Sequence, residues 1–125
     1  MEVQIFGSKK SPCTRKALRF FAERRIRTHF VDFAVRGPAL GELRRFAERF
    51  GVANLIDTTS RAFRDQGLAH SRRSDAWWLE KLCAEPELLI VPLVRCGNRL
   101  TIGDAEIEWN QWTAAARSST SPLAR

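Results

Sequence analysis

The amino-acid sequence predicts an α/β protein, with a mixed four-stranded sheet flanked by helices. Three observations carry that expectation. A short apolar strand at the beginning leads into an amphipathic helix and then a segment alternating polar and apolar residues, which is a β-α-β unit. A turn signal, Gly97-Asn98, joins late strand segments into a hairpin, and one more helix follows it. Between these parts, from about residue 38 to 86, apolar positions recur at helical spacing, so this stretch reads as a helical insertion.

Taken in order, Val3-Gln4-Ile5-Phe6 is the first strand and Gly7-Ser8-Lys9-Lys10 a loop. Ser11-Pro12 starts a helix, because a hydroxyl accepts free amide hydrogens and the proline ring already holds a helical φ. That helix runs to about Arg24, with Ala17, Leu18, Phe20 and Phe21 on its buried side. Thr28 to Phe33 is the second strand. Gly37-Pro38 opens a helix marked by Leu40, Leu43, Phe46, Ala47 and Phe50 and closed by Gly51. Asp57 to Gln66 reads as a short helix, and Ser74-Asp75 caps another that carries Trp77, Trp78, Leu79 and Leu82 and stops before Pro86. Leu88 to Val91 is a continuous apolar run, expected of a central strand buried on both faces. Arg99 to Ile102 is the last strand, and Asp104 caps a helix with Ile107, Trp109 and Trp112 at its apolar positions. One domain over residues 1–117 is expected, with a flexible tail at 118–125.

The element order is that of a thioredoxin-like fold. Pro92 fits it: a proline lacks the donor a buried strand needs, so it marks a strand end, and a cis Val91–Pro92 bond facing the first helix would account for it.

Composition narrows the function classes. Apolar residues make up 44% of the 125 residues, enough for a packed core. No apolar run approaches the roughly 20 residues of a membrane span, and Met-Glu-Val-Gln-Ile-Phe does not read as a secretory leader. Cys13, Cys83 and Cys96 are odd in number and contain no C-x-x-C pair, a poor disulfide framework and a poor zinc site, so a cytoplasmic location is expected. The net charge is +7, and eight basic residues stand between Lys9 and Arg27 against Glu23 alone. Without aromatic interleaving or a reader motif, this charge belongs on a solvated helix face, and nucleic acid is not an expected partner.

A set of ordered landmarks spans residues 3 to 115: Ile5-Phe6-Gly7, Arg15-Lys16-Ala17-Leu18, Leu55-Ile56-Asp57-Thr58 before Phe63-Arg64, Glu85-Pro86-Glu87-Leu88-Leu89, Pro92-Leu93 and Leu100-Thr101-Ile102-Gly103. In these the sequence resembles the arsenate reductase (ArsC)/Spx family, including its glutaredoxin-like members. The resemblance implies a nucleophilic cysteine at the start of the first helix, three arginines that hold an oxyanion, and glutathione as co-substrate. Here the pattern departs. Counted without gaps, the cysteine position is Ser11, and Cys13 lies two residues later. The arginine before the cis-proline is Val91, another arginine position is Ile102, and a third falls near Thr59, with Arg61 and Arg64 close by; Arg15 matches the family's basic position.

A thiolate at a helix N-terminus is stabilised by unpaired amides and the helix dipole, whereas a serine hydroxyl cannot ionise near neutrality. Each charge-assisted bond from an arginine to an oxyanion contributes about 1.5–3 kcal/mol, so losing two or three leaves little to hold arsenate. The candidate catalytic residue is therefore Cys13, and the candidate binding residues are Ser11, Thr14, Arg15, Arg61, Arg64, Val91 and Pro92, with no metal site. Ser11 reads first as a helix cap, since His29 lies on a strand and His70 in a loop and neither is placed as its base. Two functions follow: a degenerate binding or regulatory module that takes a small thiol, an anion or a peptide or protein in the groove, or a glutathione-dependent thiol oxidoreductase using Cys13. Spx-type relatives, which act by binding RNA polymerase, give the first a precedent. No bound cofactor is expected, and no membrane.

Overall fold

The computed structural model describes residues 1–70 and 72–120. The elements are β1 (Glu2–Gly7), α1 (Pro12–Glu23), β2 (Arg27–Asp32), α2 (Leu40–Phe50), α3 (Arg61–Asp65), α4 (Asp75–Ala84), β3 (Leu93–Cys96), β4 (Arg99–Ile102) and α5 (Glu106–Thr120). Short 3-10 turns cover Val52–Leu55, Leu68–His70 and Pro86–Leu88. The sheet order is β2-β1-β3-β4: β1 pairs with β2 in parallel, and β3 runs antiparallel to both β1 and β4. This is a mixed four-stranded sheet with helices on both faces, the thioredoxin-like arrangement.

Alternation along β1 divides the core in two. Val3 and Ile5, with Val94 of β3, face Ala17, Phe20 and Phe21 of α1 and Trp109 and Trp112 of α5. Phe6 and Leu93 point the other way, into a layer of Leu43 and Phe46 from α2, Trp78, Leu79 and Leu82 from α4, and Leu55, Phe63 and Leu88 from the connecting segments. Three of the four tryptophans, Trp78, Trp109 and Trp112, are thus buried core residues. The Trp109 indole donates to the Thr101 hydroxyl at 2.9 Å, which satisfies both polar groups inside the apolar layer.

Local chemistry sets the helix ends. Ser11, Ser60 and Ser74 each cap a helix by accepting from the amide three residues on. At the far end of α1, Arg25 takes a left-handed φ of 58° while its amide bonds Ala22 O and that of Ile26 bonds Phe21 O, a Schellman closure.

The structure corrects four element boundaries. Leu88 to Val91 is not a strand. Leu88 ends a 3-10 turn, Leu89 forms one isolated bridge with Ile56, and the sheet strand begins only at Leu93, after a cis Val91–Pro92 bond. The apolar run signals burial rather than strand pairing: Leu88 and Leu89 are 0% and 2% exposed. Asp57 does not begin a helix, because its carboxylate accepts from the Thr59 amide and hydroxyl in a turn, and α3 starts at Arg61. Gly37-Pro38 is an extended lead-in, and α2 starts at Leu40. Finally, α5 continues to Thr120, past the expected end at 117, while residues 121–125 of the expected tail lie outside the described residues. Among the described residues no helix is long and apolar enough to cross a membrane.

Candidate functional site

The first turn of α1 stands over the carboxyl end of β1. Gly7 makes this closeness possible: a Cβ there would lie 2.5 Å from Thr14 Oγ1. The loop between them is fixed by Ser11 N donating to Ser8 O at 2.9 Å, Lys10 N to Ser8 Oγ at 3.2 Å, and Arg15 Nη1 to Lys9 O at 2.6 Å. Ser11 is the N-cap of α1, and its Oγ accepts from Thr14 N at 3.2 Å.

A second strip of chain lies opposite. The segment around Ile56 and that around Leu89 hold each other through Asp57 N to Leu88 O and Ile90 N to Leu55 O, both 2.8 Å. Gly103 N donates to Pro92 O at 2.8 Å and ties the proline loop to the end of β4. Between this strip and the α1 terminus runs an open groove of about 750 Å³. Ser8, Lys10 and Ser11 form one wall, Val91, Leu89, Pro86 and Glu87 another, and Phe33, Ala34, Asp57, Ser60 and Arg61 complete it. Its floor offers aliphatic and aromatic carbon, and its rim carries two cations and two carboxylates.

Of the expected site residues, Ser11, Val91 and Arg61 meet in this groove. Pro92 follows Val91 directly and is buried. Arg61 is 89% exposed and its Nε lies 3.4 Å from Asp65, so it is an adaptable rim group. The others are placed elsewhere. Thr14 is fully buried, with its hydroxyl accepting from Ser8 N at 3.4 Å, so it anchors the helix to the strand and is closed to a ligand. Arg15 clamps the Lys9 carbonyl instead of facing the groove. Arg64 is exposed and outside the described groove lining. Cys13, half-buried at the second position of α1, is also outside that lining. Ile102 packs against the core layer, and the Thr59 hydroxyl donates to the Asp57 carboxylate at 2.6 Å.

Burial pushes the Cys83 and Cys96 thiols up, away from the thiolate form. His29 is exposed beside Glu2, toward the other end of β1 from Ser11, and cannot serve that hydroxyl as a base.

Sequence reasoning missed Lys10, Phe33, Asp57, Ser60 and Glu87. Ser60 carried a readable signal, a capping serine three residues before Phe63. Asp57 and Glu87 stood within family landmarks, but nothing in the sequence signalled that they meet, since the bridge between Ile56 and Leu89 brings these distant segments together.

A model of the ArsC family matches residues 6–112. The chain belongs to the ArsC family. Solved structures agree at the level of the fold. The YffB (PA3664) protein is similar with a TM-score of 0.77 and 21% identity, over 87% of this chain and 96% of that one. An arsenate reductase from Vibrio cholerae is similar with a TM-score of 0.72 and 21% identity, over 82% and 89%. An arsenate reductase (ArsC) related protein from Brucella melitensis is similar with a TM-score of 0.64 and 21% identity, over 90% and 95%. A comparison with curated proteins gave no match. In this chain the capped terminus of α1 faces the loop before Pro92, with Ser11 at the cap and Val91 before the proline.

Proposed function

We propose that this ArsC-family chain binds a ligand in the groove between Ser11 and Val91 and does not reduce arsenate. The observation behind this reading is the hydroxyl of Ser11, which lines the groove at the cap of α1 and bonds the Thr14 amide at 3.2 Å. A thiol at that point would be drawn toward the thiolate by the same amides, but a hydroxyl stays protonated and caps the helix. The neighbouring wall is aliphatic at Val91 and Leu89, so the dense guanidinium donors that an arsenate oxyanion requires are missing there.

The ligand chemistry that suits the lining is a short zwitterionic peptide, with glutathione as its simplest form. Lys10 and Arg61 are complementary to carboxylates, Asp57 and Glu87 to an ammonium group, and Phe33, Leu89 and Val91 to methylene groups. The thiol peptide is then a bound ligand rather than a reductant, and a cysteine-containing segment of another protein would fit the same walls. The location follows the cysteine usage and is proposed as cytoplasmic.

One observation favours a second reading, thiol exchange by Cys13: this residue is half-exposed in the first turn of α1, beside Arg15 and Lys16. A glutathione–disulfide exchange assay on wild type, Cys13→Ser and Ser11→Cys separates the two. The binding reading expects equal background turnover in wild type and Cys13→Ser, with new turnover in Ser11→Cys because the frame is intact. Loss of measurable activity in Cys13→Ser alone overturns it in favour of exchange. Calorimetric titration with reduced glutathione supplies the binding arm, and an absence of heat at millimolar ligand removes glutathione as the occupant.

A further inference from the structure

The helices over the α2 side cover only part of the sheet. Its upper row on that face, Val31, Phe6, Leu93 and Ile102 in register, is apolar and packed under the insertion. The next row on the same face, His29, Gln4, Arg95 and Leu100, is largely polar, and clefts open on both sides of it. One, of about 410 Å³, lies between Arg45 and Arg49 of α2 and the β3–β4 hairpin. The other, of about 520 Å³, lies over Gln4 and His29 and is bordered by Arg36. Arg95 lines both.

Three of these arginines, Arg95, Arg49 and Arg36, are held without being neutralised. Arg95 donates through Nε to Gln4 Oε1 at 2.9 Å and through Nη1 to Gly97 O at 3.2 Å. Arg49 donates to Asn98 O at 3.1 Å and Arg36 to Gly37 O at 3.3 Å. All four acceptors are uncharged, and the ion pairs among the described residues involve none of the four arginines. The two carboxylates nearby are Glu48 and Glu2, and Glu2 is engaged by Arg27 and His29. A guanidinium whose plane is fixed by neutral partners, with charge to spare, is prepared for a bidentate carboxylate.

We propose that this uncovered, arginine-lined half of the sheet docks an acidic, extended protein segment. Charge complementarity names the occupant. A carboxylate-bearing chain can seat acids on Arg36, Arg45, Arg49 and Arg95 and present its own amides to Glu2 and Glu48, whereas a regular run of phosphates meets those glutamates as repulsion. A nucleic-acid strand also wants flat rings to stack on. Among the described lining residues the flat rings are Phe30, with Lys9 6.0 Å over its centroid, and His29, whose Nε2 is engaged with Glu2 Oε1 at 3.3 Å. The docking surface lies toward the amino end of β1, and the Ser11 groove at its carboxyl end, so both can be filled at once.

The test is fluorescence anisotropy with a labelled peptide of alternating glutamate and serine, its glutamine counterpart, and a single-stranded oligonucleotide of matched length. The acidic peptide should bind, the neutral one should not, and the oligonucleotide should be weaker at near-physiological salt. Arg45→Gln/Arg49→Gln, two exposed helix positions, should weaken the peptide by about fivefold or more. Arg95→Gln should weaken it further, and circular dichroism melting establishes that each variant is folded. Arg19→Gln/Arg44→Gln removes the same charge from outside the clefts and should leave affinity unchanged. Three results overturn the proposal: no binding of the acidic peptide even at low salt, equal loss in the outside pair, or tighter binding of the oligonucleotide with the same arginine dependence.

Discussion

One face of the sheet is covered by two long helices and the other by a patchwork of short helices, 3-10 turns and loops. Under α1 and α5 the layer is regular, closed and almost wholly aromatic and aliphatic, with Phe20, Phe21 and Trp109 ring to ring at 5.0–5.8 Å. Over the other face α2, α3 and α4 leave the Ser11 groove at one end and the arginine-lined clefts at the other. Long helices bury a stripe and leave no gap. Short ones need connectors, and the gaps between connectors are where side chains from distant segments meet over water. The regular face therefore carries stability, and the patchwork face carries the candidate chemistry.

Removing the largest ring from the regular face tests that division most severely. Trp109→Ala should cost about 3–5 kcal/mol in urea unfolding, because a fully buried indole is lost and the Thr101 hydroxyl loses its partner. On the patchwork face the corresponding test is Gly37→Ala. A Cβ there would fall onto the Cys83 carbonyl at the end of α4, and Pro86 of the groove wall is its next neighbour. The expected cost is smaller, about 1–3 kcal/mol, but groove affinity should fall with it. If Gly37→Ala leaves glutathione binding untouched while Trp109→Ala abolishes it in folded protein, the division is wrong.

How much of this could be read from the chain follows the same line. Strands β1, β2 and β4, the caps at Ser11 and Ser74, and the apolar stripe of α1 were legible because each depends on neighbours a few residues away. The misplacement of β3 shows the limit. Leu88 to Val91 is more apolar than Leu93-Val94-Arg95-Cys96, yet the latter pairs, because Arg95 finds Gln4 across the strand and Leu88 is buried in a turn. The groove was half legible: Ser11 and Val91 follow from the family frame, while Asp57 and Glu87 need the tertiary bridge. Arg25 was invisible, as nothing in an arginine announces a left-handed φ.

Two modest predictions concern how α1 is held at its ends. Ser11→Ala removes the cap and should destabilise by about 1 kcal/mol, which thermal melting will detect, and should leave the aliphatic groove walls in place. Arg25→Gly relieves a left-handed conformation that a side chain disfavours. Greater freedom of the unfolded glycine chain offsets part of this, so the expected gain is about 0.5 kcal/mol. A loss of stability there would mean that the Arg25 side chain makes a contribution the Schellman closure does not explain.

The smallest expected effect concerns the ionic latch between α1 and the entry to α5. Lys16 Nζ lies 2.8 Å from both Asp104 Oδ2 and Glu106 Oε1, and these bonds hold the lysine well above its ordinary range. The Lys16 hydrogen bond likewise keeps the Asp104 carboxyl below the 3.8 of a free aspartate. A carboxylate depressed on folding contributes stability that is present above its unfolded pKa and lost as pH falls through the folded one. The latch is exposed, so its contribution at neutral pH should be small and should shrink further as salt is added. Asp104→Asn keeps an oxygen to accept from the Glu106 amide but removes the charge. Its stability should trail wild type at pH 7 and converge with it only as the pH falls through the depressed pKa of the native Asp104 carboxyl, below the 3.8 of a free aspartate. A gap that persists unchanged to low pH would show that residue 104 does not act through its charge, and that the regular face is fastened to its last helix by packing rather than by the Lys16 ion pair.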